Sequence, residues 1–280
     1  MSTARISIMV SAFHRSLSDG SLAPAKLVND LRAAGITALE PALSWGENEP
    51  RRWAEVRAAA GDAGMVYSCG DAGVNLVGEG DSDRQRALDA VAHYVEAAAA
   101  LACPAILVVG SRPAPGMSHE EGRRVMAETL ARAAARAEGS GVTLTIEDFG
   151  VTPAFVCSGA HVREVVEATG RPDVKVTFDN GNFLLADDEP AAAYVLLKER
   201  IVHVHIKDFA PAGGARLRSL AGEAHVGCTV GAGRAQVREC LALLKADGYS
   251  GWLSLEVGVA PALAEAVRAA GVVARMWDGA

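Results

Sequence analysis

Much that would tie this chain to a special partner or compartment is absent. Basic residues are few: 27 Lys and Arg stand against 34 Asp and Glu, a net charge of −7. A chain of that balance has no basic surface for a phosphate backbone, which excludes nucleic acid as a non-specific polyanion. Aromatics make up only 5% of the residues, and Trp45, Trp53, Trp252 and Trp277 are too scattered to form a platform, so they are expected to be packing residues. No apolar run is long enough to cross a bilayer. The nearest, "VEAAAALACPAILVV", is broken by Pro104 and reads as a helix returning to a strand, and "MSTARISIMVSAFHRS" lacks the apolar core of a signal peptide. The five cysteines show no CxxC spacing, which fits reduced thiols and excludes a cysteine zinc site. A cytoplasmic protein without membrane or nucleic-acid partners is expected. Assembly as a homo-oligomer is left open.

What is present is one rhythm from end to end. Short apolar or β-branched runs recur at 5–11, 36–41, 65–70, 105–110, 142–148, 173–179, 201–208 and 252–258. Between them lie stretches of helical period, such as "APAKLVNDLRAAG" and "AQVRECLALLKADGYSG", most closing on a glycine suited to a helix C-terminus. Strands alternating with helices require parallel pairing through right-handed crossovers. Eight units in 280 residues average 35 residues each, the arithmetic of an α/β (β/α)8 TIM barrel forming a single domain over 1–280. A doubly wound open sheet would carry a glycine-rich turn after its first strand, and "SAFHRSLSDG" is not one. No linker or low-complexity segment divides the chain.

Strand parity then selects a site. Alternate residues of a barrel strand face inward, and active sites sit at the C-terminal strand ends. The seventh strand, "IVHVHIKD", turns Val202, Val204 and Ile206 to the helices and His203, His205 and Lys207 inward. The fifth aligns Thr143, Thr145 and Glu147, the sixth Lys175, Thr177 and Asp179, the eighth Trp252, Ser254 and Glu256. Buried polar groups are costly without partners. Glu147, Asp179, His205 and Glu256, at matching depth on adjacent strands, have a divalent cation as their simplest common partner. Three carboxylates and one imidazole are a hard set that suits Mn²⁺ first, with Mg²⁺, Co²⁺ or Zn²⁺ as alternatives.

The run "TIEDFG", "VTFDNGNF", "VHVHIKDF", "VGAGRA" and "GYSGWLSLE", in this order and spacing, resembles the xylose isomerase-like sugar phosphate isomerase/epimerase superfamily of TIM barrels. The resemblance spans essentially the whole barrel, with its specific motifs in 142–258. It implies that Glu147, Asp179, His205 and Glu256 are metal ligands, and that Glu147 and Glu256 also work on opposite faces of the substrate carbon. A cation that stabilises an enediolate, one carboxylate that removes the proton α to a carbonyl and a second that returns it make an isomerase or epimerase for a small sugar, sugar phosphate or polyol ketone. The same carboxylates would also serve a lyase of the inosose or 3-dehydroshikimate dehydratase type. An endonuclease of the related DNA-repair barrels ranks low, because only seven histidines are present in an acidic chain, and a non-catalytic barrel is disfavoured by the intact ligand set.

Asn182 departs from the resemblance, which implies a histidine there; an amide can bind a hydroxyl but cannot shuttle a proton. Lys207 is expected to bind a substrate oxygen or to pair with Asp208 or another carboxylate. His203, one layer deeper, reads as a core histidine or a partner to the site. Arg216 and Arg218 lie in the loop 209–233, which shows no evident regular structure and from which the resemblance implies an arginine reaching substrate. Glu40, Arg112 and His14 fall at strand ends or loops on the same face and are further candidates for substrate contact.

Overall fold

The structure is a computed structural model and describes residues 3–149 and 154–280. The described strands are β1 (Ile6–Met9), β2 (Ile36–Glu40), β3 (Val66–Tyr67), β4 (Gly70–Gly73), β5 (Ala105–Val109), β6 (Thr143–Ile146), β7 (Lys175–Asp179), β8 (Ile201–Ile206), β9 (Phe209–Pro211), β10 (Leu217–Arg218), β11 (Ala224–Gly227) and β12 (Leu253–Leu255). The α-helices are α1 (His14–Ser18), α2 (Pro24–Ala33), α3 (Trp53–Asp62), α4 (Asp81–Ala100), α5 (His119–Ala137), α6 (Gly159–Ala168), α7 (Pro190–Leu197), α8 (Val237–Ala246) and α9 (Ala262–Asp278). No described helix is long and apolar enough to cross a membrane.

Nine strands form one parallel sheet in the order β3-β2-β1-β12-β8-β7-β6-β5-β4. Its two ends are pieces of one barrel strand. β3 pairs with β2, β4 pairs with β5, and β4 returns to the end of β2 through a parallel bridge between Ala42 and Asp71. There Asp71 N–H donates to Pro41 O at 2.8 Å and Leu43 N–H to Asp71 O at 2.8 Å, which closes the ring. The architecture is thus the expected (β/α)8 barrel, with one revision: the third strand is not continuous over 65–70. Gly70 approaches Leu43 so closely that a Cβ would lie 2.7 Å from the leucine Cδ1. The Leu43 side chain thus fills the space that a side chain on residue 70 would take.

Parity sorts the interior as expected. Ile8, Leu39, Ile106, Leu144, Val176, Val204 and Leu255 join the large cluster that includes residues of the surrounding helices. A small separate cluster, Cys69, Ala105 and Leu107, forms the other apolar group. Ser7, Thr145, Thr177, His203, His205 and Ser254 are all buried. Thr145 and Thr177 share a 2.7 Å hydroxyl contact, and Thr145 Oγ1 donates on to Ile106 O.

The segment 209–233 differs from its sequence reading. It contains a three-stranded antiparallel sheet in the order β10-β11-β9. These strands are two to four residues long among Gly and Pro, too short for alternation to be read. Asp208 anchors the far end of this excursion. Its carboxylate accepts from the backbone N–H of Gly231 (2.9 Å), Gly233 (2.8 Å) and Ala235 (3.0 Å).

Candidate metal centre

His205 stands at the centre of the polar interior. Register on β7, β8 and β12 sets Asp179 and Ser254 on either side of it. Its Nδ1 lies 3.3 Å from Glu147 Oε2, 3.7 Å from Asp179 Oδ2 and 3.8 Å from Glu256 Oε2. The four residues selected by parity therefore converge on one point. Ligand atoms of Glu147, Asp179 and His205 all lie within 4.8 Å of one another, and all three residues are buried. Both His205 Nδ1 and Glu147 Oε2 lack a hydrogen-bond partner. Buried polar atoms in native proteins are rarely left so, and a divalent ion between them would satisfy both. The donor set of three carboxylates and one imidazole fits such an ion.

The other side of His205 is fixed by Glu40. One Glu40 oxygen receives Nε2 of His203 at 2.9 Å and the other receives Nε2 of His205 at 3.0 Å. A carboxylate can only accept, so both imidazoles carry a proton on Nε2 and aim it at Glu40. For His205 this sets Nδ1 toward the carboxylates, as in the carboxylate–histidine–metal arrangement. Glu40, His203 and His205 also form a group with metal-ligand spacing. Ideal N–H···O distances make a hydrogen-bonded triad the better description. Glu40 was expected to touch substrate; it is fully buried with both oxygens occupied by histidines, and so lies behind the site.

Lys207 is a buried cation among the acids. Its Nζ is 2.8 Å from Asp179 Oδ2, 2.6 Å from Glu256 Oε2 and 3.1 Å from Asn182 Oδ1. Of the sequence alternatives, the geometry shows pairing with neighbouring carboxylates, and not with Asp208. Asn182 is buried too: its Nδ2 donates to Asp179 Oδ2 and its Oδ1 accepts from Lys207, so both ends of the amide serve site residues.

Charge follows from these contacts. Burial opposes ionisation of Asp179, yet the Lys207 ammonium and His205 hold its carboxyl below the usual range. Burial raises Glu256 to about 7, with Lys207 opposing and Asp179 reinforcing the rise. Burial disfavours a charged His205, but Glu40, Asp179 and Glu147 outweigh it and lift the imidazole well above its ordinary value. A metal must displace these protons to reach its ligands. Uptake of Mn²⁺ at pH 7 is therefore expected to release protons from His205 and from the protonated fraction of Glu256, and affinity should weaken as pH falls below 7. Calorimetry in buffers of different ionisation enthalpy counts those protons; binding that is pH-independent from 6 to 8 contradicts the assignment.

The remaining sequence candidates are not drawn in. Arg112, Arg216 and Arg218 are exposed, and Arg218 Nη1 bonds Gly222 O within its own hairpin. His14 binds Asn48 O through Nε2 at 2.6 Å and meets the edge of Trp45. Two buried acids beside the site, Asp148 and Asp71, escaped sequence reasoning. Asp148 has no partner for either oxygen, and burial followed by Asp179 and Glu147 pushes it well up. Asp71, at the end of the broken third strand, lies against Glu40. A single acid in the small-residue run "CGDAG" at a strand end was its only signal. A cleft of about 550 Å³ opens at the opposite end of the barrel around Arg5, Lys198 and Asp247. Lys198 and Asp247 pair there at 3.1 Å.

Comparison with known proteins bears on this geometry. The sequence profile of the xylose isomerase-like TIM barrel family matches residues 28–274, and the chain belongs to that family. No curated protein matches it. Among solved structures it is similar to the probable 3-DHS dehydratase AsbF from Bacillus anthracis, with 13% identity, TM-score 0.77 and coverage of 96% of this chain and 98% of that one. It is similar also to an L-ribulose 3-epimerase, with 17% identity, TM-score 0.74 and coverage of 99% and 95%. A third is a xylose isomerase-like TIM barrel protein from Mycobacterium smegmatis in complex with magnesium, with 14% identity, TM-score 0.73 and coverage of 99% and 97%. At such identities the likeness is one of fold.

Proposed function

We propose that the protein is a metal-dependent isomerase or epimerase of a small polyhydroxylated ketone, sugar or sugar phosphate. The carrying observation is the convergence of Glu147, Asp179 and Glu256 on the orphaned Nδ1 of His205. These four residues would hold one divalent ion, Mn²⁺ by preference for a mixed carboxylate and imidazole set. When bound, such an ion supplies Lewis-acid stabilisation of charge developing on a substrate oxygen. Glu147 removes a proton α to the substrate carbonyl, and Glu256 returns one from the other side. Lys207, whose three N–H groups meet Asp179, Glu256 and Asn182, orients the two carboxylates. Return of the proton to the same carbon on the opposite face gives epimerisation, and return to the neighbouring carbon gives isomerisation.

A lyase is the second reading. The observation that favours it is the likeness of fold to the probable 3-DHS dehydratase AsbF over nearly the whole of both chains. One experiment tests both. Protein loaded with Mn²⁺ is incubated in D₂O with a panel of ketoses, inososes and cyclic keto acids. The expected result is one ion per chain and deuterium on the α carbon of at least one substrate, with an inverted or shifted product. A lost oxygen would instead assign the lyase. Metal bound without exchange on any member would overturn proton transfer.

A further inference from the structure

Glu40 has a third neighbour besides its two histidines. Asp71 is held beside it by the ring closure: Asp71 N–H bonds Pro41 O, and its C=O accepts from Leu43 N–H. This zips Asp71 to the three residues that follow Glu40. The two side chains stand within hydrogen-bond reach of each other, and the two residues are 8% and 0% exposed. Asp71 Oδ1 receives no N–H or O–H from the rest of the described protein. Two carboxylates cannot meet in a buried site as acceptors alone, because neither has a hydrogen to offer and like charges repel. One must carry a proton. Glu40 already receives two imidazole N–H groups, which hold it as the carboxylate.

We propose that Asp71 is a positioning residue of the site, whose protonated carboxyl donates a hydrogen bond to Glu40 and so keeps Glu40 turned toward the Nε2–H groups of His203 and His205. The result is a buried chain, Asp71 to Glu40 to His205, that runs from the closing strand to the candidate metal ligand. Burial first and then the Glu40 charge raise Asp71 well above the ordinary carboxyl range, which agrees with a retained proton. Glu147 adds to the rise and His205 opposes it. Glu40 has capacity for this third donor, since each carboxylate oxygen has two acceptor directions.

The chain's effect on His205 rests on the metal reading, but the donor itself can be tested without metal. Asp71→Asn keeps a neutral N–H donor facing Glu40, whereas Asp71→Ala removes it. The infrared spectrum of metal-free protein at neutral pH is expected to contain a deuterium-sensitive protonated-carboxyl band that is missing from Asp71→Asn. Mn²⁺ affinity, measured by calorimetry, should stay within about threefold of the parent in Asp71→Asn and fall about 10–100-fold in Asp71→Ala, the usual effect of losing an outer partner of a metal ligand. A carboxylate band in the parent-minus-variant spectrum overturns the proposal. So does an Asp71→Asn protein that binds as weakly as Asp71→Ala, or an Asp71→Ala protein that binds like the parent. If the parent itself takes up no Mn²⁺, the metal reading fails, while the infrared comparison still decides whether Asp71 is the donor. Should Asp71→Ala not fold, the parent and Asp71→Asn carry both measurements.

Discussion

Glu147→Gln and Glu256→Gln are each expected to lose about 10²–10⁴-fold in the rate of α-proton exchange, the range for removing a positioned general base or acid. Each substitution keeps the shape of the side chain and removes its ability to take or return a proton. The two should differ in metal content. Glu147 lies 3.3 Å from the ligand nitrogen, and losing its charge should weaken the ion more than losing that of Glu256, which is farther away and already shared with Lys207. Deuterium incorporation by mass spectrometry, with metal measured on the same sample, separates ligation from proton transfer. A glutamine variant with full metal and exchange within a few-fold of the parent would remove that residue from the mechanism.

Glu40→Ala is expected to destabilise the fold by about 3–5 kcal/mol, since truncating one member of a buried, hydrogen-bonded ionic group strands the others. Here two imidazole N–H groups lose their acceptor at once. Glu40→Gln should be milder in stability and still severe for metal. Its amide nitrogen meets one histidine N–H as donor against donor, and relief comes if that imidazole moves its proton to Nδ1. For His205 this covers the atom that faces Glu147 and Asp179, and a drop of about 10–100-fold in Mn²⁺ affinity follows. Denaturant unfolding of the metal-free proteins gives the first quantity and calorimetry the second. Parental stability in Glu40→Ala would mean that the histidines find other acceptors.

Legibility of the site in the sequence tracked the length of the strand that carries each residue. "IVHVHIKD" alternates over eight residues, so His205 and the inward side of β8 were readable, and Glu147, Asp179 and Glu256 came from neighbouring strands by the same parity. Asp71 sits on a four-residue strand of small residues, where alternation has nothing to act on. Glu40 was seen as lying at the right face, but its role depends on histidines 163 and 165 residues away, a pairing that local pattern cannot reveal. Lys207 was placed in the site by parity and Asn182 by the resemblance; that both contact Asp179 and each other is a matter of three-dimensional closeness. The fold was legible because eight repeats of one rhythm leave few ways to close a sheet. The antiparallel hairpin over 209–227 was not, because its segments are shorter than any period.

The excursion that begins at β9 leaves the barrel and returns to it through fixed attachments. Asp208 follows Lys207 directly, and its carboxylate clasps the backbone where the chain comes back at Gly231, Gly233 and Ala235. Between these fastenings the hairpin also rests on the segment after Asp179, where Leu220 N–H donates to Leu185 O at 3.1 Å and Ala221 N–H to Asp187 Oδ2 at 2.6 Å, while Arg216 and Arg218 stay exposed. Substitutions at the exposed positions 216 and 218 leave all of these fastenings, and with them His205 and Lys207, in place. Descendants of such a barrel can therefore explore new substrates by redrawing one rim while the acid and imidazole apparatus is inherited intact.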